Sequence, residues 1–165
     1  MRRRVLVCAP LMPEFDREGG SRRVFHFLEF FQQAGWSVSF AADNALDGER
    51  YAKMLQQMGI PIYVFHKPPP SSTDMLADPG ELFKHGRFDL ILIAFWDCAE
   101  QYVSLIRALS PLTKIVVDSI DIHFLRESRR VFCGVQDNAH SHALDSEYAQ
   151  EMRREIGRAS CRERV

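Results

Sequence analysis

Apolar positions along this chain alternate between two rhythms. Val5-Leu6-Val7-Cys8-Ala9 is an unbroken apolar run, the pattern of a strand buried on both faces. Val24, Phe27, Leu28 and Phe31 fall at i, i+3, i+4 and i+7, which predicts one face of a helix that Gly35 stops. Residues 36–42 alternate well enough for a second strand. Tyr51, Met54, Leu55 and Met58 repeat the helical spacing up to Gly59. Residues 60–65 predict a third strand with Pro61 near its start, where a missing donor is tolerated. Three consecutive prolines, Pro68 to Pro70, mark a loop over residues 66–74. Residues 76–85 predict a short helix, with Pro79-Gly80 weakening its first turn.

The second half continues in kind. Residues 88–95, Phe-Asp-Leu-Ile-Leu-Ile-Ala-Phe, form the strongest strand pattern in the chain. Ala99, Tyr102, Val103 and Ile106 predict an amphipathic helix followed by Pro111, and residues 114–118 predict a fifth strand. Residues 124–131 and 146–155 read as charged helices. Five strands separated by helices imply right-handed βαβ crossovers and a parallel sheet covered on both faces. The expected fold is a Rossmann-like α/β layer.

Composition narrows the function without naming it. The chain has 165 residues, 46% hydrophobic and 26% charged, with a net charge of −1. That balance argues against nucleic acid as an obligatory partner. No apolar run approaches the roughly 18 residues that span a bilayer, so no transmembrane segment is expected. Cys8, Cys98, Cys133 and Cys161 show no paired spacing, which fits free thiols in a reducing cytoplasm. Arg2-Arg3-Arg4 leaves peripheral membrane contact open.

In open parallel sheets ligands bind beyond the carboxyl ends of the strands, where strand order reverses. Three segments therefore carry the candidate chemistry. The first is the loop after the first strand, ending Gly19-Gly20-Ser21-Arg22-Arg23, where a helix start offers free N–H groups to an anion and the arginines could add contacts. A plain turn with solvated arginines is the alternative. The second is Trp96-Asp97-Cys98. The third runs from Asp118 to His123 and crowds Asp118, Asp121 and His123 at one strand end, as base, sugar-hydroxyl acceptor or electrostatic stabiliser. Helix capping by Asp121 and an Asp118–Arg126 ion pair is the structural alternative. A dinucleotide fingerprint fits poorly, since about ten residues separate the first strand from Gly19-Gly20 and the third glycine is missing. Asp43 alone mimics the ribose-binding acid. His140 and His142 lack the i, i+4 spacing of a helical metal pair and read as solvated. Phe25, Phe27, Phe30 and Phe31 read as packing residues.

Taken in order, these segments resemble the N-terminal domain of a GT-B glycosyltransferase of the family 4 type. The resemblance rests on the opening strand, the Gly-Gly-Ser-Arg-Arg loop end and a helix closing Gln33-Ala34-Gly35-Trp36-Ser37-Val38. Arg87-Phe88-Asp89-Leu90-Ile91 and residues 117–127, Val-Asp-Ser-Ile-Asp-Ile-His-Phe-Leu-Arg-Glu, complete it. It implies transfer of a sugar from a nucleotide-sugar donor to a glycan or lipid-linked acceptor, with this domain on the acceptor side. By position, Gly19, Gly20, Ser21 and Arg22 match the loop that nears the donor phosphates, and Asp97 and Asp118 would line the substrate. Asp121 and His123 fall where relatives carry a cleft-facing histidine, an aspartate standing near the expected position. The family type needs no metal and no cofactor beyond the donor, and favours retention of stereochemistry. The acidic donor-side motif is missing, so a C-terminal partner domain is expected from the same gene.

Residues 1–155 then form the acceptor-side domain. The last ten, Ile-Gly-Arg-Ala-Ser-Cys-Arg-Glu-Arg-Val, break the preceding periodicity and look like a translated sequencing adapter, which predicts a non-native tail over 156–165. The reading from a different class is a stand-alone nucleotide- or partner-binding module without catalysis.

Overall fold

Residues 2–44, 48–67 and 77–119 are described in the computed structural model, within a compact unit running from Met1 to Ile120. The strands are β1 (Arg4–Ala9), β2 (Ser37–Asn44), β3 (Ile62–Lys67), β4 (Leu90–Ala94) and β5 (Lys114–Asp118). They alternate with helices α1 (Gly19–Gln33), α2 (Glu49–Gln57), α3 (Pro79–His85) and α4 (Trp96–Leu109). All pairings are parallel, in the order β3-β2-β1-β4-β5. The fold is the Rossmann-like α/β layer that the alternation predicts.

Strand pleat sorts the core into two layers. Val5, Val7 and Ala9 of β1, Phe40 of β2, Val64 of β3 and Leu92 of β4 face one side, where Val24, Leu28 and Phe31 of α1 and Tyr51 and Leu55 of α2 cover them. Leu6 and Cys8 of β1, with Ile91 and Ile93 of β4, face the other, under Phe83 of α3 and Tyr102 and Ile106 of α4. Cover on both faces thus holds for the central strands. It does not hold for β5, where Val116 is 47% and Val117 40% exposed. That strand borders the described sheet, and among the described residues no helix follows it.

Element boundaries depart from the periodicity in ways local chemistry explains. Pro79 does not weaken α3; it stands at the first helical position, where its missing N–H costs nothing. Asp78 caps the helix by accepting the Glu81 amide at 2.8 Å. Helix α4 starts at Trp96, three residues before its first predicted apolar contact, so Asp97 lies in its first turn rather than in a loop. Strand β3 begins at Ile62, past Pro61, and reaches Lys67. Gly35 and Gly59 adopt φ of +80° and +75° after α1 and α2, a conformation that side-chain-bearing residues rarely enter. The proposed loop over 68–74, the helices over 124–131 and 146–155, and the tail over 156–165 lie outside the described residues.

Gly86, after α3, is dictated by space. A Cβ there would lie 2.1 Å from the Phe88 ring and 2.5 Å from the Leu82 carbonyl oxygen. Gly86→Ala is expected to cost roughly 1–3 kcal/mol through forced displacement of the buried Phe88 ring. Gly19→Ala, where a Cβ meets nothing within 4 Å, is the control and is expected to be neutral or slightly stabilising. Urea unfolding midpoints of the two variants read the difference; equal midpoints would show that the Phe88 ring yields freely.

Candidate functional site

The chain winds outward from β1 through β2 to β3, then returns to place β4 on the other side of β1. The carboxyl ends of β1 and β4 therefore flank the topological switch point, the place where such sheets form a ligand crevice. Three segments meet around it: the loop 10–18 into α1, the turn from β4 into α4, and the end of β5.

Aromatic packing fixes the first loop. Met12 is buried, and the Phe15 ring lies 4.3 Å from Phe25 and 5.5 Å from Tyr51, centroid to centroid. The Tyr51 hydroxyl donates to Asp16 Oδ1 at 2.5 Å, and Arg50 approaches the other oxygen at 3.2 Å. That hydrogen bond, aided by Arg50 and Arg17, holds the Asp16 carboxyl below the ordinary carboxylate range. It also raises the Tyr51 hydroxyl.

Gly19 and Gly20 form the first turn of α1 rather than a turn ahead of it. Glu18 stands at the N-cap without accepting a backbone N–H through its side chain, and no acidic residue occupies the first turn. The first backbone N–H groups of the helix thus receive no hydrogen bond from the N-cap side chain, although the Glu18 carboxylate stands beside them. Ser21 is buried and its hydroxyl donates to Glu18 Oε2 at 3.2 Å. Arg22 is exposed, its Nε donating to the Phe15 carbonyl at 3.2 Å. Arg23 is committed elsewhere, since its Nε and a terminal nitrogen donate to the two Asp118 oxygens at 2.6 and 3.2 Å. This bidentate pair ties α1 to the end of β5 across 95 positions of sequence. Asp118 thus takes Arg23, and Arg126, its expected partner, lies outside the described residues.

The β4 end carries backbone strain. Phe95, the N-cap of α4, has φ of +73°, and its amide donates to the Asp118 carbonyl at 2.9 Å. A non-glycine residue in that region costs on the order of 1–3 kcal/mol, and such outliers gather at functional turns. Asp97 is exposed in the first turn of α4, where its charge suits the helix dipole. Gly19, Gly20, Arg22, Asp97 and Asp118 therefore sit on segments rimming this edge, with Ser21 turned inward on Glu18. Asp121 and His123, the residues expected to carry catalysis, lie outside the described residues, as do His140 and His142.

A second network at this edge is not evident from sequence spacing. Asp43 Oδ1 accepts from the Tyr102 hydroxyl and lies 3.0 Å from His66 Nδ1, drawing the ends of β2 and β3 to the face of α4. Tyr102 packs edge-on against Phe65 and Phe83 at 5.2 and 5.7 Å. Its one signal in the sequence is a tyrosine on an otherwise apolar helix face, because a buried hydroxyl requires a partner. Burial, with Asp43 and Asp97 nearby, pushes the Cys98 thiol up to about 12, and burial raises Cys8 and Tyr102 further. Among the described residues no group of three or more His, Cys, Asp or Glu could hold a metal ion, and no helix is long and apolar enough to cross a membrane. No protein-family model matches this chain, and no curated protein or solved structure does either.

Two outcomes follow from the Asp43–Tyr102 network. Tyr102→Phe removes a buried donor to a carboxylate and is expected to cost about 1–2 kcal/mol in urea unfolding; an unchanged midpoint would show that the bond adds nothing. The folded state keeps Cys8, Cys98 and Tyr102 protonated at pH values where the unfolded chain ionises them. The thiol contributions are complete below the ordinary value of 9.0 and that of Tyr102 below 10.0; each falls as pH rises above its ordinary value, and the Cys98 share is exhausted by about 12. Thermal melts across pH 8–11 are expected to fall progressively above pH 9, and less steeply in Cys98→Ala.

Proposed function

We propose that this chain supplies the acceptor-side domain of a GT-B-type glycosyltransferase, which moves a sugar from a nucleotide-sugar donor to a glycan or lipid-linked acceptor. The observation that carries the reading is the glycine-started, side-chain-uncapped α1, delivered by a pinned loop to the switch point of a 3-2-1-4-5 parallel sheet. The resemblance of the Gly-Gly-Ser-Arg-Arg and 117–127 segments supports it, and so does the open space in front of Gly19. Gly19 and Gly20 offer backbone N–H groups to the donor phosphates, and Arg22 adds charge beside them. Asp97 and Asp118 accept sugar hydroxyls, Asp118 being oriented by Arg23. Asp121 and His123 act at the reacting centre, as base and as stabiliser of developing charge. The donor nucleotide itself is gripped by a second domain across the cleft, and the reaction proceeds in the cytoplasm, with peripheral contact to membranes where the acceptor is lipid-linked.

The test is sugar transfer and donor hydrolysis with UDP-glucose, UDP-N-acetylglucosamine and GDP-mannose. The 165-residue chain alone is expected to turn over none of them, because most donor contacts come from the second domain. The protein completed from the source gene is expected to act on at least one, with a loss of at least tenfold in Asp121→Ala and His123→Ala. Nucleotide binding without transfer by the completed protein would favour a stand-alone binding module. Neither binding nor transfer would remove the reading.

A further inference from the structure

The opposite end of the sheet, about 15–20 Å from the crevice by strand rise, holds a cavity of about 580 Å³. The amino-terminal ends of β4 and β5 and the residues leading into β1, β2 and β4 build it. Its size falls within the range of small-molecule sites. Three cations line it, Arg3, Arg87 and Lys114, against one carboxylate, Asp89.

The single anion is already engaged. Asp89 Oδ2 accepts the Arg4 amide at 2.7 Å, while the Asp89 amide and carbonyl pair with Arg4 and Lys114 backbone groups at 2.9 and 3.2 Å. Ser110 and Thr113 hydroxyls bond to each other, and Thr113 donates onward to the Phe88 carbonyl at 2.9 Å, so both serve as scaffold. Among the described residues the cations have no acidic partner. Arg3 lies over the Trp36 ring at 5.5 Å, and the Arg87 and Lys114 side chains have no hydrogen bond or ion pair among the described residues. Arg87, two residues beyond α3, also has φ of +48°. Glycine or asparagine would occupy that position with less strain. An arginine stands there instead, and it lines the cavity. Apolar walls complete the site. The half-buried Trp36 lines the wall beneath Arg3, and Leu112, 96% exposed, extends an uncovered apolar surface at the cavity.

We propose that this cavity binds a small soluble phosphorylated ligand, its phosphate or diphosphate held by Arg3, Arg87 and Lys114 and its organic part laid against Trp36 and Leu112. Arginine and lysine here divide the work as they do at phosphate sites generally, the guanidinium groups fixing orientation and the ammonium supplying charge. The site is independent of the carboxyl-edge crevice and of the function proposed for it.

Trp36 reports binding directly. In a Trp96→Phe background its fluorescence is followed on titration with inorganic pyrophosphate and with AMP at 0.1 M NaCl. Saturable changes with a Kd of 1 mM or lower are expected, AMP giving the larger change if the ring meets Trp36. Arg87→Gly and Lys114→Gln are each expected to raise Kd at least tenfold, while Arg87→Gly unfolds no earlier than the parent because it relieves the positive φ. Sulfate at matched ionic strength should compete weakly. Absence of saturation in the parent, or unaltered affinity in both variants, overturns the proposal. Sedimentation with phosphatidylglycerol vesicles that depends on Arg87 and Lys114, without saturable pyrophosphate binding, also overturns it in favour of a membrane-facing surface.

Discussion

Everything described here depends on β1 being buried on both faces between β2 and β4. Val5, Leu6 and Val7 are completely excluded from solvent, and no polar side chain interrupts the run up to Ala9. Each such side chain contributes on the order of 1.5–3 kcal/mol when removed from water. Because neighbouring side chains point to opposite faces, these residues need two helical layers rather than one. A slip of one residue would exchange the layers, putting Leu6 and Cys8 under α1 and α2 and Val5 and Val7 under α3 and α4. The register with Ser37–Ala42 on one side and Leu90–Ile93 on the other is therefore set by volume as much as by hydrogen bonding.

That constraint also creates the crevice. A strand in the middle of a parallel sheet must be entered and left by crossovers, and the chain can fill both flanks of β1 only by reversing its winding once. Reversal leaves α1 and α4 starting beside each other's strands with no helix between them. The two helix starts differ in charge. First-turn acidity is absent from α1 and present as Asp97 in α4. At α1 the nearest carboxylate is Glu18 at the N-cap, outside the first turn and engaged by Ser21, whereas at α4 the carboxylate lies within the first turn. The Arg23–Asp118 pair adds to the difference by tying one cation of α1 to the carboxylate at the end of β5.

Much of the fold was legible because buried elements announce themselves through period. The runs at 5–9 and 90–94 and the spacing of Val24, Leu28 and Phe31 report the demands of burial, and the structure meets them. What local pattern could not carry was pairing at a distance. Asp43 and Tyr102 are 59 positions apart, and Arg23 and Asp118 are 95. Neither spacing has any local periodic signature. Boundaries failed where one residue's backbone decided the outcome. Trp96-Asp97-Cys98 reads as a loop because nothing in Phe95 signals a positive φ, yet that conformation starts α4 immediately. Pro79 reads as weakening the first turn of a helix over 76–85 until its position at the helix start makes its lost donor irrelevant. Gly19 and Gly20 were legible as a helix entrance, although not as the helix's own first turn.

The two strained non-glycine residues, Arg87 and Phe95, bracket the same strand, and β4 explains how both are tolerated. Ile91 and Ile93 are fully buried in one layer and Leu92 nearly so in the other, which fixes β4 in position and rotation. Burial of those three side chains contributes several kcal/mol, more than the few that two left-handed residues cost together. The strand can therefore impose unfavourable dihedrals at both of its ends without coming loose. At the amino end the imposed conformation accompanies a cation on the cavity wall, and at the carboxyl end it accompanies a helix start at the crevice rim. Weakening the core beneath β4, as Ile93→Ala would, should release both turns together even though they stand at opposite ends of the sheet.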